Sequence, residues 1–249
     1  MTDRSMIADR VREFLAGIPP HVAVLAAAKT RSVGEIRAAI NGGIRIIGYN
    51  YVQEAAASLE ALGRSQRAIE PEERATFSNE LTGPLEPSQF EAHMIGHLQR
   101  NKVKSGVRLF DTIQTVDSLR LAEAIDRECR KLGRVMPILV EINSAREPQK
   151  SGVFPEETAD LIRGIAGLPS VRVDGLMTMG PLAENPEEIR PYFGEAKRVF
   201  DEIDALRIPS VSMNVLSMGM SDSYGVAIEA GATMVRLGTI LFGPRGSQA

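Results

Sequence analysis

The stretch VAVLAAAKTRSVGEIRAAINGGIRIIG (22–48) holds two short apolar runs, at 22–28 and 44–48, on either side of a longer mixed segment. Short apolar runs bounded by turn residues are typical of buried strands. The segment between them, 32–41, repeats its apolar residues at the spacing of one helix face. A strand, a helix and a second strand in this order predict a parallel sheet covered by helices.

The same alternation continues along the chain. Six more strand candidates follow, at 92–96, 109–114, 137–143, 171–179, 211–217 and 232–238. Helical candidates lie between the strands, at 51–63, 97–106, 117–132, 155–166, 187–204 and 222–230, and another precedes the first strand at about 3–16. Eight strands in 249 residues predict an α/β fold of the (β/α)₈ TIM-barrel type with an extra N-terminal helix. An open doubly wound sheet is the alternative.

The chain shows no linker and no internal repeat, so we expect one barrel domain over residues 1–249. One irregular stretch, RSQRAIEPEERATFSNELTGPLEPSQFE (64–91), contains three prolines and has mixed polarity. Such a segment between two regular elements predicts an insertion on the surface.

Composition narrows the classes of partner. A formal net charge of −3 provides no basic field for nucleic acid or an anionic membrane. Cys129 is the sole cysteine, which excludes an intrachain disulfide, and its helical spacing with apolar neighbours favours a buried filler over a nucleophile. No apolar run approaches the roughly 20 residues that span a bilayer. We therefore expect a cytoplasmic protein.

Lys29 directly follows the first apolar run. Side chains alternate along a barrel strand, so Ala23, Leu25, Ala27 and Lys29 share one face. If that face points inward, Lys29 stands at the carboxyl end of the strand, where the active sites of such barrels lie. A solvated lysine at the end of a strand is the alternative interpretation.

Arg236 lies in the last strand candidate, ATMVRLG, on the same face as Met234. A buried guanidinium needs an acceptor because it keeps its charge. An arginine inside the barrel near the mouth predicts an anionic or aromatic-nitrogen ligand, and the alternative is a bridge to a carboxylate of the core.

Two glycine-containing turns, LSMGMSDS (216–223) and RLGTILFGPR (236–245), follow the seventh and eighth strand candidates. Backbone N–H groups at such turns converge on oxyanions, and the hydroxyls of Ser217, Ser221 and Thr239 add donors. Barrels frequently bind phosphate with these two loops. The turns therefore predict a phosphate site beside Lys29 and Arg236.

Asn50 ends the second strand candidate and is expected either to orient a ligand or to cap the next helix. Ring closure brings the ends of strands 7, 8, 1 and 2 into one arc. That arc offers an amine, a guanidinium, an amide and a phosphate cradle. The set suits a phosphorylated aldehyde that carries an aromatic ring.

His93 and His97 are spaced for a metal only if they lie on one helix. Gly96 stands between them at the expected turn from strand to helix. Because no third ligand is evident, we predict no metal site.

Several segments carry a resemblance to a known family. They are AAKTRSVGEIRAAINGG, GYNYVQEA, HMIGHLQRNKVK and LSMGMSDSYGVAIEAGATMVRLGTILFGPR, with weaker agreement in EINSAREPQKSGV and GLMTMGP. In this order they resemble the pyridoxal phosphate homeostasis protein family from about residue 20 to the C-terminus. The resemblance implies a single barrel like the N-terminal domain of alanine racemase.

The resemblance also implies roles for individual residues. Pyridoxal 5′-phosphate (PLP) is expected as a Schiff base on Lys29, with Arg236 beside the pyridine nitrogen and Asn50 beside the ring. The phosphate ligands that the resemblance implies are Ser217, Gly238 and Thr239, with Met218 packed nearby. Two features depart from the family pattern: Tyr49 stands where a glutamate is usual, and the chain carries the 64–91 segment.

The first functional hypothesis is a carrier or buffer of PLP in vitamin B₆ homeostasis, without strong catalysis. An arginine at the pyridine nitrogen disfavours protonation there and weakens PLP as an electron sink. PLP-dependent apo-enzymes are the candidate recipients, and a monomer is expected. The alternative is an amino-acid racemase or a related PLP enzyme, for which Tyr49, Tyr51, Tyr192 and Tyr224 are the available bases. A phosphate-binding barrel enzyme without PLP is a third possibility.

Overall fold

The computed structural model describes residues 3–64, 90–181 and 183–244. The segment predicted as a surface insertion, 64–91, lies almost wholly outside the described residues, which resume at Phe90.

Eight strands follow one another along the chain. They are β1 (Ala23–Ala27), β2 (Ile46–Tyr49), β3 (Glu91–Met94), β4 (Thr112–Val116), β5 (Met136–Ile142), β6 (Val171–Thr178), β7 (Val211–Ser217) and β8 (Met234–Leu237). Every strand pairs in parallel with the next, and β8 pairs with β1 through the register of Leu25 with Arg236. The sheet is a closed barrel, which confirms the predicted fold and removes the open-sheet alternative.

Helices cover the outside of the barrel. Those of the described residues are α1 (Asp3–Ala16), α2 (Val33–Gly42), α3 (Val52–Ala61), α4 (Val103–Leu109), α5 (Leu119–Lys131), α6 (Thr158–Ala166), α7 (Arg190–Ala205), α8 (Tyr224–Glu229) and α9 (Thr239–Phe242). Short 3₁₀ turns at Arg100–Lys102, Pro155–Glu157 and Pro186–Ile189 precede α4, α6 and α7. No helix of the described ranges is both long and apolar enough to cross a membrane.

The core has two layers, as alternation along the strands requires. A small apolar cluster fills the barrel and contains Leu25, Ile46, Leu139, Met177, Val215 and Met234. A much larger cluster lies between the strands and the helices and includes Val24 and Ala26. The predicted inward face of β1 is confirmed, because Leu25 belongs to the inner cluster and Ala23 packs against it.

The additional N-terminal helix is confirmed and packs against α2. Ile7 and Val11 of α1 are buried, and a Cβ placed on Gly42 of α2 would lie 2.7 Å from the Cβ of Val11. At the other end of α1, Phe14 meets Tyr224 edge to face with ring centroids 5.3 Å apart. The close approach at Gly42 explains why the last turn of α2 carries no side chain there.

The region from 97 to 116 differs most from the sequence prediction. A helix was expected over 97–106 and a strand over 109–114, whereas α4 ends at Leu109 and β4 runs from Thr112 to Val116. Arg134 contributes to this shift, since its guanidinium donates to the carbonyls of Val107 at 2.6 Å and Phe110 at 3.3 Å. Those bonds satisfy carbonyls at the end of α4 from a distant part of the chain, which a local pattern does not reveal.

Candidate functional site

Lys29 lies at the carboxyl-end mouth of the barrel, two residues beyond the end of β1, and is exposed. The turn that follows it is held from α3. The backbone N–H of Thr30, a residue with φ of 65°, donates to Oε1 of Glu54 at 3.0 Å. This bond fixes an unfavourable backbone conformation for a β-branched residue immediately after Lys29. The position of Lys29 is therefore set by two neighbouring βα units.

Arg236 is buried inside the barrel, with 4% of its surface exposed. Its Nη1 donates to Oγ of Ser217 at 2.8 Å, and its Nη2 donates to the carbonyl of Thr178 at 2.8 Å. Sδ of Met179 lies 3.6 Å from Nη2. Among the described residues no carboxylate forms an ion pair with this guanidinium, so the bridge to a core carboxylate is not what holds it.

The opposite charge of Glu141 in β5 acts on Arg236. Burial lowers the pKa of Arg236 to about 10, and the charge of Glu141 opposes that change. Burial, with a smaller contribution from the charge of Asp117, raises the pKa of Glu141 to about 7, against the opposing effect of Arg236. At neutral pH the interior therefore contains a charged arginine and a carboxyl group close to its titration midpoint.

Ser217 connects Arg236 to a chain of polar side chains that crosses the barrel. Its hydroxyl donates to Oε1 of Gln114 at 2.8 Å while it accepts from Arg236. Nε2 of Gln114 lies 2.8 Å from Nδ1 of His93, whose Nε2 lies 2.8 Å from Oε2 of Glu91. The Ser217 hydroxyl is thus engaged inside the barrel, and its role as a phosphate ligand stays a prediction.

The two predicted phosphate turns lie side by side, because β7 pairs with β8. Oγ of Ser221, from the first turn, accepts from the backbone N–H of Gly238 at 3.1 Å in the second. Gly219 has φ of 90°, and a Cβ there would lie 2.5 Å from the Cβ of Ala227, so the first turn requires glycine. Thr239 is exposed.

Met218 differs from the other predicted site residues because it is fully buried in the outer apolar cluster. Its backbone N–H donates to the carbonyl of Met234 at 3.0 Å. Met218 therefore supports the turn from behind.

Asn50 follows β2 at the same end of the barrel and is half-buried. Tyr51, not Asn50, is the N-cap residue of α3, and it provides no capping side chain. Backbone atoms of Asn50 approach Gly96 so closely that a Cβ there would lie 2.4 Å from the Asn50 carbonyl oxygen. The capping interpretation of Asn50 is wrong, and its role as a ligand residue remains a prediction.

Tyr49 faces the helix layer and not the mouth. It belongs to the outer apolar cluster, and its hydroxyl lies 3.0 Å from Oγ of Ser58 in α3. Burial raises the pKa of Tyr49 to about 12. Tyr49, which stands where the family usually has a glutamate, is therefore a packing residue on the helix side of β2.

The two histidines, His93 and His97, differ in burial. His93 is buried in β3, whereas the side chain of His97 is 55% exposed, with Nδ1 4.0 Å from Oδ2 of Asp117. The prediction that they do not share a helix face is confirmed, since β3 ends at Met94 and the next helical turn begins at Arg100. Across the described ranges no group of three or more His, Cys, Asp or Glu is arranged to hold a metal ion.

These residues fit PLP by the chemistry of their donors. A guanidinium has five N–H groups, and protein oxygens accept from Arg236 through two bonds of 2.8 Å. The remaining donors suit an unprotonated pyridine nitrogen. A Cβ placed on Gly238 would lie 3.9 Å from the carbonyl oxygen of Ala27. The second predicted phosphate turn therefore lies against β1, the strand that leads to Lys29.

Sequence reasoning did not identify Glu141, Gln114 or Thr178 as part of this region. Glu141 had a recognisable signal, since it is the one charged residue in the apolar run PILVEIN (137–143). Gln114 and Thr178 had none, because their roles depend on partners from β7 and β8.

The chain was compared with known families and proteins. The family described as alanine racemase, N-terminal domain, matches residues 2–246. A pyridoxal phosphate homeostasis protein of Aquifex aeolicus is 38% identical over 222 residues, which cover 89% of this chain and 86% of that protein. One from Synechocystis is 36% identical and covers 94% of this chain and 96% of that protein.

Solved structures give the same result. PipY of Synechococcus elongatus with PLP bound is 31% identical, with a TM-score of 0.79, and the match covers 95% of this chain and all of PipY. An alanine racemase of Clostridium difficile matches with a TM-score of 0.74 at 15% identity. That match covers 99% of this chain and 58% of the racemase, and at this identity it shows the fold alone.

Proposed function

This chain belongs to the pyridoxal phosphate homeostasis protein family, and from that premise we propose that it binds PLP as a Schiff base on Lys29 and serves as a carrier or buffer of the cofactor. PLP supplies an aldehyde that exchanges between amines. In this proposal residues 1–249 form one PLP-binding barrel domain.

The observation that carries the proposal is the state of Arg236. A guanidinium that is 4% exposed, with no ion pair among the described residues, keeps donors directed into the barrel close to the end of β1. Such a group favours an acceptor that carries no proton, which is how a pyridine nitrogen beside it would be held. Hydrogen bonds from Arg236 to Ser217 and Thr178 keep the guanidinium in place before the cofactor arrives.

The phosphate is proposed to lie at the turns after β7 and β8. The backbone N–H of Thr239 would hold it, together with that of Gly238 in exchange for its bond to Ser221. Ser217 would act there mainly through its backbone and through Arg236. Met218 supports this side from the helix layer, and Asn50 faces the ring from the end of β2. The phosphate would thereby anchor the cofactor beside Lys29. The separation between the phosphate turns and Lys29 is set by the closure of the barrel between β8 and β1.

One consequence of the proposed site and one observation favour carriage over catalysis. An arginine at the pyridine nitrogen would keep it unprotonated, which would make PLP a weak sink for electrons. Of the tyrosines considered as racemase bases, Tyr49 is fully buried against Ser58 and Tyr224 packs on Phe14. The racemase alternative would have to rely on Tyr51 or Tyr192 instead.

Free PLP reacts with many amines, so a carrier protects the cell and delivers the aldehyde to PLP-dependent apo-enzymes. We propose that it acts as a cytoplasmic monomer; size-exclusion chromatography with light scattering tests the oligomeric state.

Borohydride reduction followed by peptide mapping tests the proposed attachment. The protein loaded with PLP is expected to carry a reduced pyridoxyl group on the peptide that contains Lys29. The Lys29→Ala variant should carry none, whereas Lys104→Ala, an exposed lysine of α4, should label like the parent. A pyridoxyl group on another lysine, or on no lysine, would contradict the proposal.

Incubation of the loaded protein with L-alanine and other amino acids separates carriage from catalysis. We expect exchange of the cofactor but no racemisation and no keto acid. Turnover that disappears in Lys29→Ala would establish the racemase alternative.

A further inference from the structure

Glu141 is a buried carboxylate inside the barrel that the proposed function does not use. Leu139, two positions earlier in β5, belongs to the inner apolar cluster, whereas Val140 and Ile142 belong to the outer one. Alternation therefore places Glu141 on the inner face, where it is 8% exposed. Within the described residues its buried Oε2 has no hydrogen-bond partner.

A buried acidic oxygen without a partner is costly, so a structural role alone does not account for it. Asp174 in β6 provides the contrast. It is also buried, and Arg172 donates to its two oxygens at 2.5 and 2.7 Å. Asp174 is a neutralised structural carboxylate, whereas Glu141 keeps an oxygen available for a donor that is not part of the protein.

Two charged residues act on Glu141. The register pairs Val116 with Val140, which places Asp117 beside Glu141 at the carboxyl ends of β4 and β5. Arg236 acts on it from β8, and His97 lies 4.0 Å from Asp117. We call Asp117 and Glu141 the acidic wall of the mouth. In the closed ring, β4 and β5 lie across the barrel from β8 and β1, so the acidic wall stands opposite Arg236 and the end of β1.

We propose that Glu141 accepts the proton of the primary ammonium group that takes the cofactor from Lys29. The inference rests on the proposed function. The N–H bond of the ammonium breaks, its electron pair stays on nitrogen, and the proton forms an O–H bond on Glu141. The products are a neutral amine and a neutral carboxyl group. Only the neutral amine has the lone pair that exchange with Lys29 requires.

The environment of Glu141 suits this role. A proton acceptor is most effective when its pKa lies near the working pH, and burial brings that of Glu141 to about 7. When the ammonium group binds, its positive charge stabilises the ionised carboxylate of Glu141. The carboxylate of Asp117 attracts the same ammonium group. Glu141 thus recognises the class of the incoming group, a primary alkyl ammonium, which a free amino acid and a protein lysine share.

The test compares exchange of the bound cofactor in the loaded parent, Glu141→Gln and Glu13→Gln. Glu13 is exposed on α1 and provides the matched control. Glycine represents free amino acids, Nα-acetyl-lysine amide represents protein lysines, and hydroxylamine is already neutral near pH 7. Absorbance follows exchange, and borohydride mapping establishes beforehand that each protein carries PLP on Lys29.

We expect Glu141→Gln to slow exchange with the alkyl amines about a hundredfold near pH 7. The defect should shrink towards about pH 9, where the neutral fraction of each alkyl amine in solution is about a hundredfold larger than at pH 7, and hydroxylamine should react at the parental rate. A defect with glycine alone or with the lysine derivative alone would support the proton transfer and restrict it to that kind of ammonium group.

Parental rates with both alkyl amines near pH 7 in Glu141→Gln would overturn the inference and leave the proposed function intact. The same slowing with hydroxylamine would also overturn it, since that reaction needs no proton acceptor. Absence of a label on Lys29 in the parent would instead contradict the proposed function.

Discussion

The two sides of the barrel mouth differ in charge and in how their polar groups are satisfied. Lys29 and Arg236 form what we call the basic wall, in which the guanidinium donates to Ser217 and Thr178. The acidic wall of Asp117 and Glu141 includes a buried oxygen with no partner in the described part of the chain. The donors of the basic wall are held in place by protein acceptors, whereas the acidic wall contains an acceptor without a donor among the described residues. Under the proposed function, we expect the cofactor to contact the basic wall and the amine to contact the acidic wall.

Removal of the arginine should have the largest effect on this contrast. We expect Arg236→Met to weaken PLP affinity about tenfold to a hundredfold, because hydrogen bonds of a charged group are lost. The free energy of unfolding should also fall by about 1 to 3 kcal/mol, because the buried Ser217 hydroxyl and the Thr178 carbonyl lose the donor that satisfies them. Equilibrium dialysis and urea unfolding measure the two effects.

Arg163→Met is the control for this prediction, since the side chain of Arg163 is 52% exposed on α6. Parental affinity and stability in Arg236→Met would show that the basic wall does not depend on the guanidinium.

Neutralisation of Glu141 should change how stability depends on pH. The pKa of Glu141 is about 7 in the folded protein and near its ordinary value of 4.5 when unfolded. Between these values the folded state binds more protons, so the parent loses stability as pH rises through this window. Glu141→Gln lacks that loss and should gain up to about 3 kcal/mol relative to the parent between about pH 5 and pH 8.

Urea unfolding of the protein without PLP at both pH values measures this gain, with Glu13→Gln as the control. Parallel profiles of stability against pH in the parent and Glu141→Gln would mean that ionisation of Glu141 does not destabilise the folded protein.

The polar chain behind the basic wall should have a smaller effect. Gln114→Met keeps the approximate shape but leaves Ser217 and His93 without their bonds of 2.8 Å to Gln114. We expect a loss of about 2 kcal/mol in the free energy of unfolding and a few-fold weaker PLP binding, since Arg236 loses part of its support. Gln53→Met, on the exposed side of α3, is the control. An unchanged PLP affinity would show that Gln114 contributes to the stability of the fold and not to cofactor binding.

The smallest effect is expected behind β2, outside both walls. Tyr49→Phe removes one buried hydrogen bond to Ser58 and retains the ring that packs on Phe110. Stability should fall by about 1 kcal/mol, with PLP affinity unchanged. Thermal unfolding and dialysis test this, and a large loss of affinity would place Tyr49 at the cofactor.

Periodicity was sufficient to predict the number and order of the strands, because each buries both faces and leaves a continuous apolar run. It was also sufficient to place Arg236 on the face of Met234. The boundaries of α4 and β4 escaped it, since bonds from Arg134 decide where α4 ends. The capping role expected of Asn50 failed because the close backbone approach of Gly96 decides the path of the chain there.

The sequence by itself determined the fold, the family and the residues of the basic wall, because strand alternation and glycine turns are local properties of the chain. Only the tertiary structure decided which polar groups are satisfied. Arg236 received its partners from β6 and β7, and Glu141 was left with an oxygen that has none in the described residues. The physical reason is that closure of the barrel brings together residues that are far apart in sequence. It also buries their polar groups, so that the cost of removing each group from water depends on partners that the local sequence does not specify.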